Sequence, residues 1–311
     1  MIERRVVDKI KRIVGKEHVH SEPEERVCYS YDATNQSYLP DLVVFPGNAQ
    51  EVSDIVKLAN EEKFPVIPRG AGSGFTGGTL PVEGGLVLVM TRFNRIIEID
   101  TENLIAFVEP GVVTGNFQKE VEKLGLFYPP DPASLKFSTL GGNVAECAGG
   151  PRAVKYGVTK DYVIGLEAVL PTGEIISTGV RTVKGVVGYD LTKLMVGSEG
   201  TLGVITRIIV KLLPLPASKK TILAVYPKLE DAARTVTGIT ASKITPSALE
   251  FMDHSAIVCV EDFLRIGLPI EAEAILLLEV DGDPYIVGRD AARIQDICMR
   301  YGASRVEIAE D

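Results

Sequence analysis

Pro68-Arg-Gly-Ala-Gly-Ser-Gly-Phe-Thr-Gly-Gly78 is the stretch on which the reading of this chain turns. Five glycines lie between Gly70 and Gly78. Backbone of that composition can take positive φ and come close to a ligand, turning its N–H groups inward to meet a diphosphate without a lysine. Gly72-Ser-Gly-Phe-Thr-Gly77 formally matches G-x-G-x-x-G behind a predicted strand at Pro65–Pro68. A Rossmann fingerprint needs a helix to open at that point, and Gly78 and Pro81 oppose one. No Gly-Lys-Ser/Thr closes the loop and no G-x-S-x-G occurs, which removes the P-loop and the hydrolase nucleophile elbow.

Upstream of the loop, Asp41–Phe45 reads as a buried strand. Asn48 with Glu51 three residues on has the form of a capping box, and Val52, Ile55, Val56 and Ala59 give the next helix its apolar face. Ile2, Val6, Ile10 and Ile13 predict a further helix at the N-terminal end. Downstream, strands are predicted at Leu86–Met90, Ile96–Ile99 and Ile105–Glu109. A helix through Phe117, Val121 and Leu124 should stop at Gly125. Tyr128–Gly157 is rich in Pro and Gly with little periodicity, and loops of that length are usually functional. Strands resume at Val163–Leu170, Glu174–Ser177 and Leu202–Leu212. Leu213–Ser218 then reads as a linker into an alternating pattern. Its strands fall at Thr221–Tyr226, Ala248–Met252, Ala274–Val280 and Arg305–Ile308, and its helices at Leu229–Thr240, His254–Leu264 and Tyr285–Tyr301.

Composition narrows the function classes. A chain of 311 residues, 45% hydrophobic and 24% charged, fits about two globular domains. Thirty-three basic against 42 acidic residues leave a net charge of −9, which argues against nucleic acid or an anionic membrane surface as partner. No apolar run approaches the roughly 20 residues of a membrane span. The N-terminus lacks the apolar core of a signal peptide, so a cytoplasmic location is expected. Cys28, Cys147, Cys259 and Cys298 form no C-x-x-C pair. His18 and His20 would share one side of a strand but have no evident third ligand, so no metal site is expected.

Three further segments accompany the glycine loop: Tyr128-Pro-Pro-Asp-Pro-Ala-Ser134, Ser138-Thr-Leu-Gly-Gly-Asn-Val-Ala-Glu-Cys-Ala-Gly-Gly150 and Gly197-Ser-Glu-Gly-Thr-Leu-Gly-Val-Ile205. With Lys155-Tyr-Gly-Val158 and Lys193-Leu-Met-Val196, the set resembles the flavin-binding half of the vanillyl-alcohol oxidase/p-cresol methylhydroxylase superfamily. It is most similar to the branch that includes glycolate oxidase and D-lactate dehydrogenase. The resemblance runs from about Leu42 to Pro214. Ala248–Asp253 and Ile275–Asp281 add weaker marks of that family's cap domain. It implies an α+β protein in which residues 1–215 form a two-subdomain, PCMH-type FAD-binding domain. Residues 216–311 then form an incomplete α/β, ferredoxin-like cap.

Carried over residue by residue, the resemblance implies that Arg69, Gly70, Ala71, Gly72, Ser73 and Gly74, with Gly77 and Gly78, wrap the FAD pyrophosphate. Pro130, Asp131, Ser134, Ser138 and Thr139 would lie along the ribityl chain and flavin. Gly142, Asn143, Ala148 and Gly149 would approach the isoalloxazine and phosphates. Glu199, Gly200, Val204 and Ile205 would touch the adenosine or flavin. Relatives that attach FAD covalently use a histidine in the glycine loop. Ser73 stands at that position and no histidine lies between His20 and His254, so noncovalent FAD is expected. Cys147 reads as a small packed thiol, and Arg181 and Lys184 as solvated loop charges.

The implied activity is oxidation of a small 2-hydroxy acid, glycolate or D-lactate, to the 2-oxo acid by hydride transfer to flavin. Such chemistry also needs a cation for the carboxylate and a base for the hydroxyl. Relatives supply these after the strand corresponding to Arg305–Ile308, where this sequence stops, so no catalytic residue is assigned. The expectation is a flavin-binding subunit or short form. A separate chain would supply the rest of the cap, and an iron–sulfur or other electron-accepting subunit would serve as partner. The alternative is an FAD-binding electron-transfer subunit that does not activate substrate itself.

Overall fold

A computed structural model describes residues 2–182 and 184–309. Two compact units emerge. One comprises the residues up to Ala148 together with Val158–Pro214. The other joins Gly149–Gly157 to the residues from Leu215 onward. The chain therefore leaves the first unit for nine residues in the middle of its run, which no composition shift announces.

The first unit is built on two sheets. A four-stranded sheet has the order Val19–His20, Leu42–Val44, Leu86–Val89, Val66–Arg69. The last three strands run parallel. Leu42–Val44 and Leu86–Val89 are continuous apolar runs because both faces are covered. Val6 and Ile10 of the helix Arg4–Val14, with Val52 and Ile55 of the helix Ala49–Glu62, pack on one face. Tyr29, Phe45 and Ile67 close over Val43, Val87 and Val89 on the other. Each such fully buried aliphatic contributes about 1.5–3 kcal/mol. Asn48 caps this helix as predicted, Glu51 N–H donating to Asn48 Oδ1 at 2.9 Å. The reciprocal half of the capping box is shifted by one residue: the Glu51 carboxylate accepts from Gly47 N–H at 2.7 Å instead of from the Asn48 backbone.

A five-stranded antiparallel sheet follows, ordered Ile96–Asp100, Ile105–Val108, Val204–Lys211, Val163–Val169, Ile175–Gly179. Three local expectations need correcting. The helix Thr114–Glu122 ends before Lys123, and Gly125 takes positive φ two residues later in the turn. Leu213–Pro214, read as linker, pairs with Leu126–Phe127. The stretch read as loop contains the helices Leu140–Glu146 and Ala153–Tyr156.

The second unit is a four-stranded antiparallel sheet ordered Ala248–Asp253, Ala274–Gly282, Ser218–Tyr226, Arg305–Ala309. In chain order that is 2-3-1-4, the ferredoxin-like arrangement, with the helix His254–Leu264 inserted between strands two and three. The helices Leu229–Ala241 and Pro284–Arg300 cover one face through Ala232, Ile239, Val287, Ala291 and Ile294, packed on Ile222, Ala224, Leu276 and Leu278. The inserted segment is fastened within this unit. Lys155 Nζ bonds the carboxylate of Asp281, and Tyr156 OH donates to its other oxygen at 2.8 Å.

Candidate cofactor cleft

The glycine loop leaves the carboxyl end of the parallel strand Val66–Arg69, the end at which open parallel sheets hold ligands. No helix opens behind Gly77; the next strand or helix is Leu86–Val89, as the glycine and proline content predicts. Among the loop glycines, positive φ is needed at Gly72 (+69°) and Gly77 (+79°) only. Gly70 serves close approach instead, since a Cβ there would stand 2.3 Å from Thr139 Oγ1.

Arg69 is the loop's cation, and it faces inward. Its side chain is buried, with Nη2 donating to the Tyr31 carbonyl at 2.8 Å and Nη1 to Thr79 Oγ1 at 3.3 Å. Burial lowers the guanidinium pKa, and the charge of buried Asp32 acts against that shift. Arg69 therefore ties the Tyr29–Thr34 segment beneath the loop rather than offering itself at the surface. The charge left for a ligand is that of the backbone. Among the described residues, the N–H groups of Ala71, Gly72, Ser73 and Gly74 donate to no protein acceptor.

The second bend starts at Thr139, whose side chain caps the helix Leu140–Glu146 by accepting from Gly142 N–H at 3.3 Å. Glycines at the start of a helix are poor formers, so tertiary contacts hold this one. Leu140 N–H donates to Val112 O at 2.8 Å and Gly141 N–H to Pro110 O at 2.7 Å. Gly141 also lies against Pro110 so closely that a Cβ would come within 2.4 Å of its ring. The third bend docks on the far end of the same helix, with Gly197 N–H donating to Val144 O at 2.9 Å and Glu199 N–H to Ala145 O at 3.0 Å.

The three bends bound two adjoining hollows. Gly70, Thr79, Thr139, Gly142 and Glu146 line both. Arg69, Gly78, Glu199, Gly200, Val204 and Ile205 line the first, together with Met90 and Pro110. Ala71, Gly72, Ser73, Gly74, Ser134, Ser138, Asn143 and Ala148 line the second. Of the residues singled out from the sequence, Gly77, Pro130 and Asp131 line neither hollow, and Gly149 belongs to the second unit. The buried Pro130 gives its carbonyl to Gln118 Nε2 at 2.8 Å.

Glu146, Thr79, Met90 and Pro110 were not legible from spacing. Glu146 sits where the hollows meet, accepting from Thr76 Oγ1 at 3.0 Å. Burial holds its carboxyl above the usual carboxylate range; the Thr76 bond opposes this, and the charges of Glu199 and Asp32 reinforce it. No group of three or more metal-ligating side chains exists among the described residues, and the His20 ring packs tilted against Phe45, with centroids 4.9 Å apart. Arg181 lies 5.4 Å over the Phe107 ring. No helix among the described residues is long and apolar enough to cross a membrane.

The chemistry of these residues fits a ligand that joins a diphosphate to an aromatic ring: free backbone N–H groups beside Gly70 and Gly72, which cannot carry a Cβ, next to a mostly apolar hollow. Residues 40–179 match the family described as FAD binding domain, and 215–311 match FAD linked oxidases, C-terminal domain. The chain is 50% identical over its whole length to the glycolate oxidase subunit GlcD of Bacillus subtilis, spanning 66% of that protein. It is 41% identical to a D-lactate dehydrogenase of Anaerostipes hadrus, with 98% of this chain and 66% of that one covered. A solved structure of p-cresol methylhydroxylase superposes on 98% of this chain and 65% of its own, with a TM-score of 0.81 at 20% identity, which speaks for the fold. The chain thus spans about two thirds of the curated relatives it matches. It belongs to the FAD-linked oxidases of the vanillyl-alcohol oxidase/p-cresol methylhydroxylase superfamily.

Proposed function

We propose that this protein holds FAD noncovalently in the cleft and takes part in oxidising a small 2-hydroxy acid of the glycolate or D-lactate kind to the 2-oxo acid. The observation that carries this reading is the convergence of three small-residue bends on one cleft, in a chain half identical to a glycolate oxidase subunit. Bound FAD supplies the hydride acceptor.

The protein's part is binding and orientation. The N–H groups of Ala71–Gly74 meet the diphosphate, and Ser138, Thr139 and Asn143 meet the polar chain of the cofactor. Val204, Ile205, Met90 and Pro110 enclose a ring. Glu146 and Glu199 offer acceptors to hydroxyl groups. Ser73 replaces the histidine that would allow covalent attachment, so the flavin is released on denaturation. The Bacillus subtilis relative is described as a subunit. The proposal therefore includes a partner chain that accepts electrons, and a cytoplasmic location.

The test is anaerobic. The FAD-loaded protein, supplied with the segment or chain that completes the cap, is expected to lose its yellow absorbance on addition of glycolate, D-lactate or a close homologue. Flavin that stays oxidised with every acid tried contradicts substrate oxidation and favours an electron-transfer role.

A further inference from the structure

Thr114 stands behind the cleft, fully buried on the first turn of the helix Thr114–Glu122. It touches neither hollow, yet it is bonded to two residues of the second hollow's wall. Its N–H donates to the Ser138 carbonyl at 2.9 Å, and its Oγ1 lies 3.1 Å from the same oxygen. Asn143 Nδ2 lies 2.6 Å from Thr114 Oγ1.

A hydroxyl has one proton. With that proton on the Ser138 carbonyl, Thr114 Oγ1 faces Asn143 as an acceptor only. The amide nitrogen of Asn143 must therefore turn toward Thr114, which leaves Oδ1 and the second N–H as the groups free to meet a ligand. The Asn143 backbone is already fixed, its N–H donating to Thr139 O and its carbonyl accepting from Ala148 N–H, both at 2.9 Å. The side-chain amide is what remains to be set.

We propose that Thr114 is a positioning residue for the cofactor, fixing through Asn143 which end of a buried amide is offered to FAD. The proposal rests on the cofactor reading above. A buried amide presenting the wrong end loses a hydrogen bond and leaves a ligand atom unpaired, so orientation decides affinity.

The experiment measures FAD affinity of the full chain by fluorescence titration, with thermal melting of the ligand-free protein alongside. Thr114→Ser keeps the hydroxyl and should bind within about twofold of the parent. Thr114→Val keeps the shape but not the hydroxyl. It should bind at least about tenfold more weakly, the scale of one buried hydrogen bond. In an Asn143→Ala background, Thr114→Val should change affinity no further. An equal loss in both backgrounds would mark a merely structural residue and overturn the proposal, as would parent-like affinity in Thr114→Val. Should Thr114→Val not fold, Asn143→Asp serves instead, because it sets a carboxylate oxygen against Oγ1. At least about tenfold weaker binding is expected, and unchanged affinity overturns the proposal. A parent protein that binds no FAD would instead contradict the cofactor reading.

Discussion

Gly70 and Thr139 meet across the cleft wall so closely that a methyl group on Gly70 would stand 2.3 Å from Thr139 Oγ1. That hydroxyl caps the helix Leu140–Glu146. Gly70→Ala should therefore displace the cap and destabilise the first unit by about 1–3 kcal/mol, read from thermal denaturation. It should also empty the protein of flavin. An unshifted melting temperature would contradict the packing.

Gly72 has the stronger constraint, because its φ is +69° and a Cβ there would lie 2.1 Å from Arg69 Nη2. A β-branched chain is disfavoured in that backbone region. Gly72→Val should lose the cofactor even at saturating FAD, measured as flavin absorbance per protein. Full occupancy would count against the placement of the loop.

Arg69 works as an internal tie. Arg69→Ala removes the donor to the Tyr31 carbonyl and leaves the buried Asp32 carboxylate without its nearby charge. A loss of about 1.5–3 kcal/mol is expected in denaturant melts, as for hydrogen bonds to charged groups. Arg69→Lys should recover only part of it, since one ammonium cannot reproduce the planar fork.

Asp281 holds the Gly149–Gly157 excursion within the second unit through Lys155 and Tyr156, and its side chain is 6% exposed. Asp281→Ala should raise amide hydrogen exchange across residues 150–157 while leaving the strand Leu86–Val89 protected. Unchanged exchange in the excursion would show that the fastening lies elsewhere.

Glu146 makes stability depend on pH in a stated direction. Its pKa is raised above that of the unfolded chain by burial first, and by Glu199 and Asp32. The folded state then binds more protons than the unfolded one between the two pKa values, so stability falls as pH rises through that window. Glu146→Gln should melt like the parent at acid pH, where both are neutral, and above it once the parent ionises. FAD would bring further negative charge to the same place, so parent affinity should decline over that rise more steeply than the variant's. Parallel pH profiles would remove Glu146 from the account.

Much of this architecture was legible because local signals agreed with tertiary demand. Asn48 and Glu51 announced a helix start, the Val- and Leu-rich runs announced buried strands, and the ordered glycine bends announced the family. The rest depends on contacts that no local pattern encodes. Leu140–Glu146 is a helix despite Gly141 and Gly142, because Pro110 and Val112 hold its first turn. Glu146 joins the cleft because that helix aims it there. The Gly149–Gly157 excursion follows from a lysine and a tyrosine meeting an aspartate more than 120 residues away. Gly77, Pro130 and Asp131 match family motifs yet line neither hollow, since a motif fixes neighbourhood more firmly than contact.

The most direct measurement is a titration of the purified, flavin-free protein with FAD, followed by flavin fluorescence quenching and calorimetry. A saturable one-to-one complex is expected, its flavin released intact by denaturation and its affinity abolished by Gly72→Val. A folded protein that takes up no FAD, or that binds it equally well with Gly72→Val, would contradict the claim that these bends form one cofactor site.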